Sequence, residues 1–343
     1  SAMMHLRNQV GLAERRARLI NIIEIFMRDI PTPTPEQPES FEQTQTDTRV
    51  NRVERLRAML LEHFPGEEKR ELREQIETSF QVPQIGEHHN EGVFMDSHLD
   101  LMVQTIERVK QGGFPEELSQ ATREVLSRAA TRNAKTVHRY VLEHDISKKD
   151  CLTIKFGETE RIMTWDEWQV LLSQSESGQK AQTGDEDALR QFSQEQGITS
   201  ISYYQEGEGE HEKRAHGKVG ADYLRTTKGE EDEAVLGAIE AHEVAYSFER
   251  VKVDTYEKYF SGMTDDVRDF AMLASFVDTM SSYGPDGKLD LKNFLALAGS
   301  REKYESLLVV GKRLEGVALD KQKYQRAWAA IRGSADPVTV EMI

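Results

Sequence analysis

A mainly α-helical protein, an α-rich α+β fold with a small central β-hairpin or three-stranded element, is what this sequence predicts. Apolar residues recur at steps of three and four over most of both halves, the mark of helices with a buried stripe. One central stretch, from "CLTIKFG" to "RIMTW", alternates with a period of two instead. At 343 residues the chain exceeds the roughly 250–300 at which single cores stop growing, so several subdomains are expected.

The opening "SAM" ahead of Met4 reads as a cloning remnant and stays outside the fold argument. Residues 4–30 carry Val10, Ala13, Ala17, Ile20, Ile23, Met27 and Ile30 on one seam and Leu12, Leu19 and Phe26 on a second. They predict an amphipathic helix apolar on two sides, suited to docking on a second copy of the chain as well as on its own. Its core, "LINIIEIFMRDI", is too short and too charged for a membrane span and lacks the small-residue cleavage site of a secretory leader. Residues 31–47 hold four prolines and almost no hydrophobes, an extended linker reaching roughly 50 Å in a polyproline II form.

A helical domain follows over 48–150. Val50, Val53, Leu56, Leu60 and Phe64 line its first helix, and "FPGEE" ends that helix and starts the next, which carries Leu72, Ile76 and Phe80. At "GGFPEE" a helix with Met102, Ile106 and Val109 gives way to one with Leu118, Val125 and Ala129. Both junctions place proline and two glutamates where a helix start tolerates the one and favours the other.

Residues 151–229 form a small mixed region. Leu152, Ile154 and Phe156 alternate in a strand, "ETE" turns the chain, and Thr164 with Glu167 makes a capping box for the next helix. "SQSESGQKAQTG" (173–184) reads as a flexible connection, "ITSISYY" as a strand able to join the hairpin, and "QEGEGEHEKRAHGKVG" as a surface loop. From 230 to 343 the chain is a helical domain again, with Val235, Ile239, His242 and Tyr246 on one stripe and Phe270, Leu273 and Val277 on another.

Composition narrows the functions. The 44 basic and 60 acidic residues leave a formal charge of -16, of which -4 falls through Asp150 and -12 beyond it. Such a surface disfavours nucleic acid and anionic membranes and favours a protein partner with a basic face. The single cysteine, Cys151, rules out an internal disulfide and fits a cytoplasmic location; with no basic neighbour nearer than Lys149 it reads as a buried thiol. No P-loop, GxSxG, HExxH or GxGxxG after a strand is present.

Two segments carry candidate chemistry. "SSYGPDGKLDLKNF" (281–294) resembles the second half of an EF-hand calcium loop, within a helix-loop-helix at 264–300. The resemblance places Asp286, Gly287 and Leu289 at the fifth, sixth and eighth positions and Asp290 at the ninth. Ser282, Gly284 and Asn293 stand where the first, third and twelfth ligands would be, which leaves Asp286 and Asp290 in a degenerate loop that sets a helix angle. Were Asp278 the first ligand, the loop would run four residues too long. The second segment, "EHHNEGVFMDSHLD", gathers His88, His89, Glu91, Asp96, His98 and Asp100. Its "SHLD" resembles the histidine-x-aspartate metal segment of the zinc aminoacylase and carboxypeptidase family. The further carboxylates, late histidine and α/β domain that the family needs are not found. The competing reading caps a helix with Asp96 or Ser97 and leaves His98 and Asp100 on its exposed face.

The remaining histidines read as structural: His242 as a hydrogen-bonded core residue, His144 at a helix C-terminus, His138 on the surface. The favoured function is therefore a helical protein-binding scaffold or adaptor without catalysis or a required cofactor. The alternative is a metal-dependent hydrolase, using a divalent cation, with its site assembled around His88–Asp100.

Overall fold

The computed structural model describes residues 48–86, 91–132, 134, 136–206, 213–228, 232–282 and 290–315. Residues 46–343 make one compact unit. The helix expected at 4–30 and the linker at 31–47 lie outside the described residues.

The α-rich α+β class is confirmed. Helices α1 (Arg49–His63), α2 (Arg70–Ser79), α3 (Met95–Lys110), α4 (Gln120–Arg132) and α5 (Val137–Glu143) come first. The mixed region holds β1 (Leu152–Phe156), β2 (Thr159–Met163), α6 (Trp165–Ser173), α7 (Glu176–Gln182), α8 (Glu186–Gln196), β3 (Ile198–Glu206), β4 (Lys213–Ala215) and α9 (His216–Thr227). Helices α10 (Glu233–Ala241), α11 (Val253–Phe260), α12 (Asp265–Met280) and α13 (Lys292–Glu315) complete it.

The strands form one antiparallel sheet in the order β2-β1-β3-β4. The first three strands are those the alternation predicts, with Ile154 opposite Ile201 and Leu152 opposite Tyr203. The fourth is a correction: Lys213–Ala215, expected within a loop, pairs with the far end of β3. It was invisible to patterning because three residues hold no period. The stretch 173–184 is a second correction, since α7 lies within it. Ser175 accepts a hydrogen bond from the Gly178 amide at 3.0 Å, and Ser177, Gly178 and Ala181 bury the small face of α7. The seat is close enough that a Cβ on Gly178 would lie 2.0 Å from the Leu172 carbonyl oxygen. Small polar composition marks a tight helix contact here, not a linker.

Helix α12 is the axis of the unit. Every residue from Asp269 to Met280 is buried, and it packs on α3, α4, α10, α13 and the 3-10 turn at His242–Ser247. Its tight neighbours include Phe276 against Phe294 and Phe270 against Tyr140, with ring centroids 5.1 and 5.8 Å apart. A helix buried on all sides is normally apolar all round. Asp269 and Asp278 break that rule, and only Asp269 does so for structural reasons. It is clamped by Arg128 from α4 at 2.7 Å and Arg301 from α13 at 2.6 Å. No helix among the described residues is long and apolar enough to cross a membrane.

Candidate metal centre

Asp278 points into a buried cluster of ligand-type side chains drawn from five places in the chain. His98 comes from the second turn of α3, His144 and Asp145 from the turn that ends α5, His216 from the first residue of α9, and His242 from the turn after α10. All six side chains are buried, His144 and Asp145 to 0 and 1 % exposure. The turn after α5 is sharp: the Ile146 amide bonds back to Glu143 and the Lys148 amide to Asp145, so His144, Asp145 and Lys148 share one coil of chain.

The imidazoles are oriented alike. Nδ1 of His98 lies 3.1 Å from the Ser281 carbonyl, that of His144 2.9 Å from Val141, that of His216 3.3 Å from Tyr203 and that of His242 2.6 Å from Ile239. A carbonyl only accepts, so each Nδ1 carries a proton; in a neutral imidazole Nε2 then turns a lone pair to the cluster, as for His144, His216 and His242, whereas His98 uses its Nε2 to bond Asp278. Those lone pairs meet other lone pairs. The Nε2 atoms of His216 and His242 are 3.1 Å apart. Asp145 Oδ1 is 2.9 Å from His216 Nε2 and 3.8 Å from His242 Nε2, while Oδ2 is 2.9 Å from His144 Nε2 and 3.0 Å from Lys148 Nζ. On the other flank His98 Nε2 faces Asp278 Oδ1 at 3.2 Å. Nε2 of His144 and Oδ1 of Asp145 are left without a hydrogen-bond donor although fully buried.

Electrostatics sharpen the picture. Burial pushes the His242 imidazole down to about 4, so its Nε2 is bare at neutral pH. Burial alone would raise Asp145, but His144 and Lys148 outweigh it and hold the carboxyl well below its usual range. Asp278 is likewise held low, burial being overcome by its bond with His98, and the same bond raises His98 against the effect of burial. Burial depresses Lys148, and Asp145 more than restores it, so the ammonium stays charged.

Such a set fits metal ions. Two donors each about 2.1 Å from one cation and 90–110° apart are separated by roughly 2.9–3.5 Å, the spacing found here. Besides His144, Asp145 and His242, two groups lie close enough to share an ion, His98, His144 and Asp278 on one side and His216, His242 and Glu243 on the other, with Glu243 approaching His216 from its Nδ1 side. Asp145 lies between them with an oxygen toward each. Every histidine has the backbone acceptor on its far nitrogen that metal ligands characteristically have. Four of the six side chains, His98, His216, His242 and Asp278, line the floor of a cavity of about 380 Å³ together with Lys148, and His144 and Asp145 are buried next to them.

Among the described candidates of the His88–Asp100 segment, only His98 belongs to this centre. Asp96 is paired with Arg49 at 2.9 Å and Arg52 at 3.1 Å, and Asp100 with Arg55 at 2.8 Å. Residues two apart on a helix point roughly opposite ways, whereas those four apart share a face. Asp96 and Asp100 therefore meet the arginines of α1 while His98 turns inward. The capping alternative is corrected as well. Helix α3 starts at Met95 with Phe94 at its N-cap and no side-chain cap, and His98 and Asp100 are buried to 1 and 5 % exposure. His88, His89 and Asp286 lie outside the described residues. Asp290 accepts from the Lys292 amide at 2.9 Å and so starts α13. Asp278, weighed only as a calcium ligand, is a member of the cluster, and His216, expected in a surface loop, is 2 % exposed. Cys151 is buried, as expected.

Comparison with protein-family models, with curated proteins and with solved structures finds no match for this chain.

Proposed function

We propose that this protein is a metal-dependent phosphohydrolase with a carboxylate-bridged two-metal centre. One observation carries the reading: the Nε2 atoms of His216 and His242 face each other at 3.1 Å against Asp145, while the Nδ1 of each is turned to a backbone carbonyl. Facing lone pairs in a buried site are repulsive, and a shared cation converts them to attraction. His98, His144 and Asp278 would hold one ion, His216 and His242 the other, with Asp145 bridging. Mixed imidazole and carboxylate donors favour a transition metal such as zinc, manganese or iron over calcium.

Bound there, a metal pair would act as a Lewis acid on substrate oxygens and lower the pKa of a water held between the ions. The chain supplies the rest. Lys148, kept cationic beside Asp145, adds positive charge to the cavity floor for an anionic group, and the backbone carbonyls behind the four imidazoles fix the ligands before substrate arrives. Two cations and a lysine suit in-line displacement at phosphorus, where charge builds on attacking, leaving and non-bridging oxygens together. A scaffold has no use for three histidines and an aspartate lining a cavity with a buried His144–Asp145 pair against them.

The test is protein purified without a metal-affinity column, subjected to elemental analysis and assayed with p-nitrophenyl phosphate and bis(p-nitrophenyl) phosphate. The expected result is bound transition metal, turnover that chelation abolishes and metal restores, and loss of both metal and turnover in His144→Ala. Protein that binds no transition metal and cleaves neither ester in added manganese, zinc, cobalt or iron would refute the proposal.

A further inference from the structure

Above its ligand floor the cavity changes character. Strand β3 contributes Ser200 and Ser202 to the lining, the turn at His242–Ser247 contributes Glu243 and Tyr246, and Ser282 follows the end of α12. The Glu243 side chain is 38 % exposed with Oε2 3.5 Å from His216 Nδ1, and Tyr246 is 50 % exposed. Lys148 is the one cation among the described residues of the lining, and Asp145 holds it at 3.0 Å. Positive charge thus belongs to the floor, while the wall offers a carboxylate, hydroxyls and an aromatic ring.

That division sorts phosphate esters. One phosphoryl group satisfies the floor. A second or third, extending outward, would meet the Glu243 carboxylate as a like charge. A polyhydroxylated alcohol in the same place meets complementary groups. A carboxylate accepts from two neighbouring hydroxyls at once, serine hydroxyls donate or accept, and a tyrosine ring covers the C–H face of a sugar. The volume, about 380 Å³, is near the small end of the roughly 300–1,000 Å³ typical of small-molecule sites.

Resting on the phosphohydrolase reading, we propose that the substrate is a phosphate ester of a polyhydroxylated, sugar-like alcohol bearing a single phosphoryl group, and that Glu243 selects it against di- and triphosphates. In the reaction the oxygen of water forms the new P–O bond, the ester P–O bond breaks, and the freed alcohol oxygen takes a proton that the water releases.

The experiment uses full-length, metal-loaded protein. Values of kcat/KM are measured for ribose 5-phosphate, a hexose phosphate, p-nitrophenyl phosphate and adenosine triphosphate, and inhibition is measured with orthophosphate and tripolyphosphate. Wild type should prefer the sugar monophosphates to the triphosphate by tenfold or more and bind orthophosphate more tightly than tripolyphosphate. In Glu243→Gln the ratio of sugar monophosphate to triphosphate should fall by about tenfold, because a neutral amide removes the like-charge penalty. The ratio cancels any general loss of activity, and the wild-type ranking needs no variant at all. Turnover of p-nitrophenyl phosphate with the triphosphate or tripolyphosphate preferred would overturn the substrate assignment and leave the hydrolase standing. An unchanged ratio in Glu243→Gln would remove Glu243 from the selection. No turnover of any ester, p-nitrophenyl phosphate included, would take the hydrolase reading down and this inference with it.

Discussion

Replacing Asp145 by asparagine puts the metal centre under the most direct stress. The side chain is 1 % exposed and its two oxygens reach His144, His216 and Lys148 at 2.9–3.0 Å, so the change alters charge while keeping shape. A ligand that binds only the folded state adds about 2.7 kcal/mol per site at a hundredfold excess over Kd. At roughly 2–4 °C per kcal/mol, one metal ion should raise the wild-type midpoint by roughly 5–11 °C, and a second ion further. In Asp145→Asn the bridge loses its charge, and most of that rise should vanish. The metal-free variant should also melt below the metal-free wild type, since Lys148, itself buried, loses the partner that keeps it charged; breaking such a pair costs about 3–5 kcal/mol. Thermal melts by circular dichroism, with chelator and with saturating manganese or zinc, read both effects, and elemental analysis reads occupancy. An Asp145→Asn protein with the same metal-induced rise and the same metal content as wild type would show that the buried cluster is not a metal centre.

Three further outcomes follow from the same geometry. Asp96→Asn should lower stability by removing the carboxylate that Arg49 and Arg52 share, Arg52 keeping Glu186, yet leave metal content intact, while His98→Ala should reduce metal content; equal metal loss in both would mean that the two residues share a site after all. Asp269→Ala leaves buried Arg301 with Glu305 alone and removes the partner of half-exposed Arg128; it should cost about 3–5 kcal/mol in chemical denaturation, with a loss under 1 kcal/mol counting against the clamp. Gly178→Ala forces a Cβ to 2.0 Å from the Leu172 carbonyl and should cost about 1–3 kcal/mol, whereas an unaltered midpoint would mean that α7 is not seated on α6.

The frame was legible because its signals are local. Three- and four-residue steps report a buried helical stripe whatever it packs against, alternation reports β1 and β3, and Thr164 with Glu167 forms the capping box its spacing implies. Elements whose signal is tertiary escaped. Helix α7 reads as a linker because the small residues that let it approach α6 are those that make a flexible chain, and β4 is too short for any period. The metal centre escaped for a related reason. Its ligands come from α3, the turn after α5, the start of α9, the turn after α10 and α12, and no two except His144 and Asp145 are adjacent. A trace was still present. Asp278 follows the stripe of Phe270, Leu273 and Val277, His242 follows Val235 and Ile239, and His144–Asp145 stands between Leu142 and Ile146. An ionisable side chain on an apolar stripe is costly to bury without a partner. Several such residues in one chain, each placed where a core residue belongs, point to one another.

Helix α3 shows how one segment serves two ends, and why adjacency misleads. Arg49, Arg52 and Arg55 stand three apart on α1 and meet Asp96 and Asp100, four apart on α3, so the two helices are joined along facing stripes. Burial raises the Asp96 carboxyl despite both arginines, the mark of a pair committed to a dry interface and not to solvent. The pairing fixes the rotation of α3 about its own axis. With Asp96 and Asp100 held toward α1, His98 has to project to the opposite side, where Asp278 and the Ser281 carbonyl of α12 receive its two nitrogens at 3.2 and 3.1 Å. The acidic residues of "DSHLD", Asp96 and Asp100, are thus not ligands beside the histidine. They are the anchor that aims it, and the orientation of His98 depends on a salt-bridge seam on the far face of the same helix.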